Sequence, residues 1–596
     1  MRLLTVLLGV AIIAAVAAVV IVLREAPLGE RSAAGTPTPS ETRASLFTDP
    51  CGTFDTGVRA PYAVTGYWLV PTSNECTWRK QLEAIHRVGG DTVIRLGTGL
   101  QARAVDDEGR VLTGDREIDK RYEPCEEDGV PCLQAAERDL KKANPNNRVT
   151  WNYVYRTDER FGPGLLRCPS MERVIPVGDR VYYRLVAPED GSDDPSCDFS
   201  KPRNYHVILI QAAQEDSLTR LLDLADRFRM RVFPALPLAP RDPAQPTRAN
   251  PTHIGTLTTL TRRILQDYGE RFRDRDSLGG VYQPFELQLR EMKFEGGKDD
   301  HPTLKVYAEQ HWIVEQELPG KPILVSPYLD ARKSVGFAAT PAQVARGFKA
   351  LARTGVGIIA PQDSRGTGKV GLFWPDERDE PVDARLRPVV GDLTYGEAYH
   401  GSTRDYYRAM AQARQEVAEE GHEVELWANV EAFEPSADVP CGNRGNRGAT
   451  DKARLDTAVT LTGRYVSKII SYMWSDFFTC GSPSLADQIT VDWNRPIPVD
   501  GVRKTRGIQE GLEIRGYNLN STRVTISWEG QPVPKMLDVA AVGWHDPLPP
   551  PGMPERTETV WVPLNWSEVP PDTWIRVEIT TADGRSAAEP LHVKAT

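Results

Sequence analysis

From Thr65 to about Asn494, short apolar runs alternate with stretches whose apolar residues recur every three or four positions. That rhythm predicts a parallel α/β fold. The runs are Gly66-Tyr67-Trp68-Leu69-Val70, Asp91 to Leu96, Arg231 to Leu236, Gly280 to Gln283, Pro322 to Ser326, Val356 to Ala360, Val424 to Asn429 and Ile469 to Tyr472. Between them lie helical patterns, as in Ser217 to Phe228, where Leu218, Leu221, Leu222 and Ala225 share one face. Another follows Thr340, a natural N-cap before Pro341, and closes at Gly355. Eight strands in this alternation predict an α/β architecture of the (β/α)8 TIM-barrel type. A doubly wound open sheet is the alternative, but no glycine-rich phosphate loop follows the first strand.

The rhythm breaks in three places. Between about 97 and 205 a long irregular stretch holds four cysteines and reads as a surface insertion. After Pro496 the period drops to two, with Val524, Ile526 and Trp528 alternating, and Ile575, Val577 and Ile579 likewise. This predicts a C-terminal β-sandwich, immunoglobulin-like, over 497–596. At the start, the apolar run Leu3 to Leu23 is bracketed by Arg2 and Arg24. At 1.5 Å per residue it spans about 30 Å, a membrane's hydrocarbon core. It predicts a transmembrane signal-anchor over 1–24 rather than a cleaved signal peptide. A linker over 25–60 follows, rich in Ser, Thr, Pro and Ala from Arg31 to Arg43. The barrel is then expected over 61–496.

Composition adds two constraints. Net charge is −10 and no basic stripe is present, which disfavours a nucleic-acid partner. All eight cysteines (Cys51, Cys76, Cys125, Cys132, Cys168, Cys197, Cys441 and Cys480) lie beyond the apolar run, without a CxxC metal pattern. Disulfides in an oxidising, extracytoplasmic compartment explain them better than zinc. Spacing leaves their connectivity open, nearest-neighbour pairing being one choice.

TIM-barrel sites are built at the C-terminal ends of the strands. Those ends carry Glu286 after the fourth strand, Tyr328 after the fifth, Gln362 and Asp363 after the sixth, and Trp427, Asn429 and Glu431 on the seventh. Tyr282, Trp68 and Trp474 add aromatic rings. Carboxylates beside aromatics suit glycosidic-bond cleavage, in which one acid protonates the leaving oxygen and a second carboxylate attacks or activates water. No GxSxG elbow, HExxH or P-loop offers a rival chemistry. His86, His206, His301 and His311 are scattered and read as structural or exposed. A metal-dependent deacetylase would need a His/Asp cluster that the sequence does not assemble, so neither metal nor cofactor is implied.

At these strand ends the chain resembles bacterial domain-of-unknown-function proteins grouped with TIM-barrel glycoside hydrolases. The carrying residues are Gly280-Val281-Tyr282-Gln283-Pro284-Phe285-Glu286, Lys321-Pro322 through Ser326-Pro327-Tyr328, Ala360-Pro361-Gln362-Asp363, and Leu426-Trp427-Ala428-Asn429-Val430-Glu431. Val281 stands where such proteins often have Trp. The resemblance implies a barrel and carbohydrate processing. Glu286 is then the expected general acid/base, Glu431 the expected nucleophile and Asp363 its competitor. Tyr282, Tyr328, Gln362, Trp427, Asn429, Trp68 and Trp474 would hold the sugar, while Glu434 is expected in solvent. A retaining pair would stand about 5–5.5 Å apart and an inverting pair about 6.5–9.5 Å apart, and the sequence leaves the two open. The expected function is a membrane-anchored hydrolase of a cell-envelope or extracellular polysaccharide. The alternative is a non-catalytic polysaccharide-binding or envelope-assembly protein on the same scaffold.

Overall fold

In a computed structural model of the chain, the described residues are 46–193, 195–435, 441 and 447–595. The anchor expected over 1–24 and the Ser/Thr/Pro-rich part of the linker lie outside them. Among the described residues no helix is long and apolar enough to cross a membrane.

Eight parallel strands appear where the apolar runs predict them. They are β1 (Gly66–Leu69), β2 (Thr92–Arg95), β3 (Arg231–Pro234), β4 (Val281–Gln283), β5 (Ile323–Val325), β6 (Ile358–Ile359), β7 (Glu425–Glu431) and β8 (Lys468–Tyr472). Their order in the sheet is β3-β2-β1-β8-β7-β6-β5-β4. The ends of that row meet through parallel bridges Val232↔Leu278 and Ala235↔Tyr282, and Leu236 N donates to Tyr282 O at 2.8 Å. The sheet is therefore a barrel. One helix follows each strand: α1 (Glu75–Arg87), α2 (Ser217–Phe228), α3 (Ile254–Phe272), α4 (Pro302–Glu317), α5 (Pro341–Ala352), α6 (Thr403–Glu419), α7 (Lys452–Thr462) and α8 (Leu485–Asp492).

Local chemistry explains the helix limits. Asp216 caps α2 by accepting from Leu218 N, and Arg229 ends it in the left-handed region at φ 53°. Leu218, Leu221 and Leu222 are fully buried on its inner face, each contributing roughly 2 kcal/mol. Thr340 and Gln343 form a reciprocal capping box at the start of α5.

The insertion after β2 is a five-stranded mixed sheet, ordered Gln101–Arg103, Arg148–Arg156, Asn204–Ala213, Arg180–Pro188, Arg173–Val177, with the helix Cys132–Ala143 packed on it. It runs on to Ala213, past the boundary near 205 that the sequence suggests, because Asn204–Ala213 pairs with Arg148–Arg156 rather than with the barrel. The stretch 25–60 also holds more than a tether. Leu46–Asp49 and Gly52–Asp55 form a hairpin, Cys51 bonds to Cys76 at the start of α1, and Phe54 packs against Phe228 at 5.6 Å.

The other disulfides are Cys125–Cys132, Cys168–Cys197 and Cys441–Cys480, which is the nearest-neighbour pairing. Beyond Asp492 come two four-stranded antiparallel sheets, with Val524, Ile526, Val577 and Ile579 buried in alternation as expected of a sandwich. The sandwich packs on the barrel. Arg556 donates to Tyr62 O and Gly89 O at 2.9 and 2.7 Å, and Arg404 donates to Val499 O at 3.0 Å. Its Tyr517 and Pro554–Arg556 help wall a cavity of about 430 Å3 at the N-terminal ends of the strands.

Candidate functional site

Side chains alternate inward and outward along each strand, so strand register sorts the candidates. Across the parallel pairs, Tyr282, Leu324 and Ile358 share one parity, as do Asn429 with Ile470 and Glu431 with Tyr472. Carrying that parity to the C-terminal ends puts Trp68, Tyr282, Ser326, Gln362, Asn429, Glu431 and Tyr472 on the inward side.

Most of these line one pocket of about 390 Å3 at the C-terminal mouth. Its walls are Trp68, Tyr282 and Tyr472, with the Trp68 ring edge-on to Tyr282 at 5.9 Å and to Tyr472 at 6.1 Å. Its polar groups are Thr98, Arg241, Glu286, Ser326, Gln362 and Asn429. Gln362 Nε2 donates to Glu286 Oε1 at 3.4 Å and to Ser326 O at 3.2 Å. Asn429 Nδ2 donates to Ser326 Oγ at 3.0 Å, whereas the buried Asn429 Oδ1 has no protein donor. Glu286 is exposed.

The other two candidate carboxylates do not line this pocket. Asp363 and Glu431 are buried together beneath the loop that follows β6. Glu431 N donates to Asp363 Oδ1 at 3.2 Å, and Gly366 N donates to Glu431 Oε2 at 2.7 Å. Arg365 stands 3.7 Å from Asp363 but makes its closer pair with Glu434 at 2.9 Å. Burial pushes Asp363 up to about 6, against the pull of Arg365. Burial first and the Asp363 charge second push Glu431 up to about 8. A nucleophile must be ionised to attack, so this environment opposes the role expected for Glu431.

Three further expectations are corrected. Glu434 is 3% exposed rather than solvated, and Arg365 and Arg454 hold it down to about 2 against its burial. Trp427 lies inside the barrel at the opposite end, edge-on to Phe233 at 6.1 Å and under Lys468 at 5.5 Å. Trp474 is core, packed on Tyr67 at 4.9 Å and Phe478 at 5.3 Å. Tyr328 is half-buried at the rim, with the Lys369 ammonium 4.3 Å from its ring centre, which occupies one of the faces a sugar would use. His206 and His311 are buried against Thr256 and Thr354, as structural histidines are.

The pocket also contains residues absent from the expected set. Ser326 and Tyr472 share the inward parity of Asn429 and were legible by alternation. Thr98 and Arg241 come from loops, where no periodicity marks them.

Residues 198–487 match the family model described as "Domain of unknown function (DUF4434)", and residues 114–212 match "Domain of unknown function (DUF8405)". All four resembling motifs fall within the first match, in agreement with the resemblance to a domain-of-unknown-function family. No curated protein matches the chain. Among solved structures, a candidate alpha-L-fucosidase from Bacteroides thetaiotaomicron VPI-5482 is 13% identical, covering 73% of this chain and 92% of that one at a TM-score of 0.36. A beta-galactosidase from the psychrophilic Marinomonas ef1 is 9% identical, covering 72% and 59% at 0.34. The Legionella pneumophila ChiA C-terminal domain is 8% identical, covering 72% and 98% at 0.30. The barrel assignment rests on the strand order itself.

Proposed function

We propose that this chain is an extracytoplasmic carbohydrate-binding protein that takes a saccharide of a cell-envelope or extracellular polysaccharide into the mouth of its barrel. The carrying observation is the pocket itself. Aromatic walls from Trp68, Tyr282 and Tyr472 enclose Ser326, Gln362, Asn429 and Glu286. A sugar ring has apolar C–H faces and a girdle of hydroxyls, and the pocket offers both complements. Four disulfides and the charge-free run Leu3 to Leu23 support export and anchoring at the membrane. The C-terminal sandwich, read as immunoglobulin-like, is an appendage that supports the barrel.

A second reading, glycoside hydrolysis, is favoured by one specific observation. Glu431 sits on the inward row beside Tyr472 and keeps a proton near neutrality. It suits a general acid, with the exposed Glu286 as its partner carboxylate, if the loop at Ser364–Gly366 moves aside.

The test is to titrate the full chain in detergent against fractionated envelope polysaccharides, following both binding and the release of new reducing ends. Wild type should bind one class of glycan. Gln362→Ala should weaken that binding about tenfold, since it removes a hydrogen bond worth roughly 1–1.5 kcal/mol, and Glu286→Gln should weaken it several-fold, since it replaces a charged acceptor by a neutral one. Cleavage lost in Glu431→Gln, with binding kept, would establish the second reading. A folded wild type that binds no fraction would end both.

A further inference from the structure

A second cluster of polar side chains, none of which lines this pocket, lies where the barrel meets the sandwich. Glu377 belongs to the short turn Pro375–Glu377 after β6, while Glu589 and His592 belong to the sandwich. One carboxylate oxygen of each glutamate and a ring nitrogen of His592 lie within 4.8 Å of one another. A tetrahedral shell with bonds of about 2.0 Å spaces its donors about 3.3 Å apart, so closure needs shifts of only about an ångström.

His592 supplies the independent sign. Its side chain is 7% exposed and its Nε2 is buried without a hydrogen-bond partner. Its Nδ1 lies 2.9 Å from Asp376 Oδ2. A carboxylate only accepts, so that contact puts a proton on Nδ1 and leaves Nε2 as the nitrogen that can turn a lone pair to a metal. A histidine held by a carboxylate at one nitrogen and free at the other is the arrangement by which proteins orient metal-binding imidazoles. The ring is fixed further by stacking on Trp374, with centroids 5.2 Å apart. Trp374 in turn orients both glutamates, donating its indole N–H to Glu589 at 2.9 Å and its backbone N–H to Glu377 at 2.8 Å. Two carboxylates are thereby held within 4.8 Å of each other next to a hydrophobic ring. A cation would relieve their repulsion.

We propose that Glu377, Glu589 and His592 form a site for one divalent metal ion, of which Zn2+ fits the mixed nitrogen and carboxylate donors best, with Asp376 as the positioning residue behind the histidine. The ion would tie the loop after β6 to the sandwich. Asp376 and His592 stand 216 positions apart, so no sequence spacing reveals the site.

The experiment is to strip the full chain in detergent with a chelator, then titrate it calorimetrically with Zn2+, Mn2+ and Ca2+ while recording Tm. One equivalent of Zn2+ should bind and raise Tm, more tightly than Mn2+ or Ca2+. His592→Ala and Glu589→Gln should abolish both effects. The glutamine keeps an acceptor for the Trp374 indole, so its loss of binding would not reflect misfolding. Asp376→Asn should weaken affinity about 10–100-fold. Absence of stoichiometric binding by any of the three ions, or binding unchanged in Glu589→Gln, would overturn the proposal.

Discussion

Arg365 decides the fate of three carboxylates. Its guanidinium goes chiefly to Glu434, leaving Asp363 Oδ2 and its own Nε without hydrogen bonds. Asp363 and Glu431 are thus buried with less positive charge than they need, which raises both carboxyls above their ordinary values, Glu431 the further. For Glu431 the folded value near 8 exceeds the ordinary 4.5, so between these limits the native state binds a proton that the unfolded chain does not. Stability is then fully present below about pH 4.5 and declines as pH rises through about 8. Glu431→Gln should flatten this decline, as read by Tm measured across that window, and an unchanged slope would refute the assignment. The sequence shows that Asp363, Glu431 and Glu434 end strands. It does not show that the Ser364–Gly366 loop folds over the first two, because that depends on where Arg365 finds its closest partner.

At the level of strands and helices, the pattern was legible because each barrel strand is a short, continuous apolar run buried on both faces. Every strand and the helices quoted from the apolar pattern fall where the sequence puts them. What alternation alone leaves open is height within the barrel. β7 extends to Glu431, so Trp427 sits four residues back from its end, about 13 Å lower at 3.3 Å per residue. There it fills the barrel beside Phe233 and Lys468 rather than meeting a sugar. Trp427→Ala should cost about 3–5 kcal/mol in denaturant unfolding and leave any saccharide affinity of the folded protein unchanged. Reduced affinity with normal stability would place it back in the binding site. Gly280, in the motif that carries the resemblance, has a packing reason. A Cβ there would fall 2.3 Å from Pro322 O and 2.6 Å from the Phe233 ring.

Across the whole molecule, the domain limit near 496 is a boundary of pattern rather than of packing. Trp374 is 1% exposed beneath the sandwich, and Arg404 and Arg556 cross the junction to backbone carbonyls. Calorimetry on the full chain should therefore show one cooperative transition for barrel and sandwich, and a chain ending at 496 should aggregate. Two well-separated transitions would contradict this. The insertion and the hairpin at 46–55 were less legible, since their strands gain partners from distant segments and their stability from disulfides, which no local period records.

The waist of the barrel has its own consequence. Ile94, Phe233, Leu324, Trp427 and Ile470, between 0% and 6% exposed, fill the space between the upper pocket and the lower cavity. The upper chamber is a cul-de-sac. A polymer cannot be drawn through it like thread through a bead, so a long glycan could present only a terminus or a side branch to the floor, or lie across the rim, and whatever enters departs by the same door.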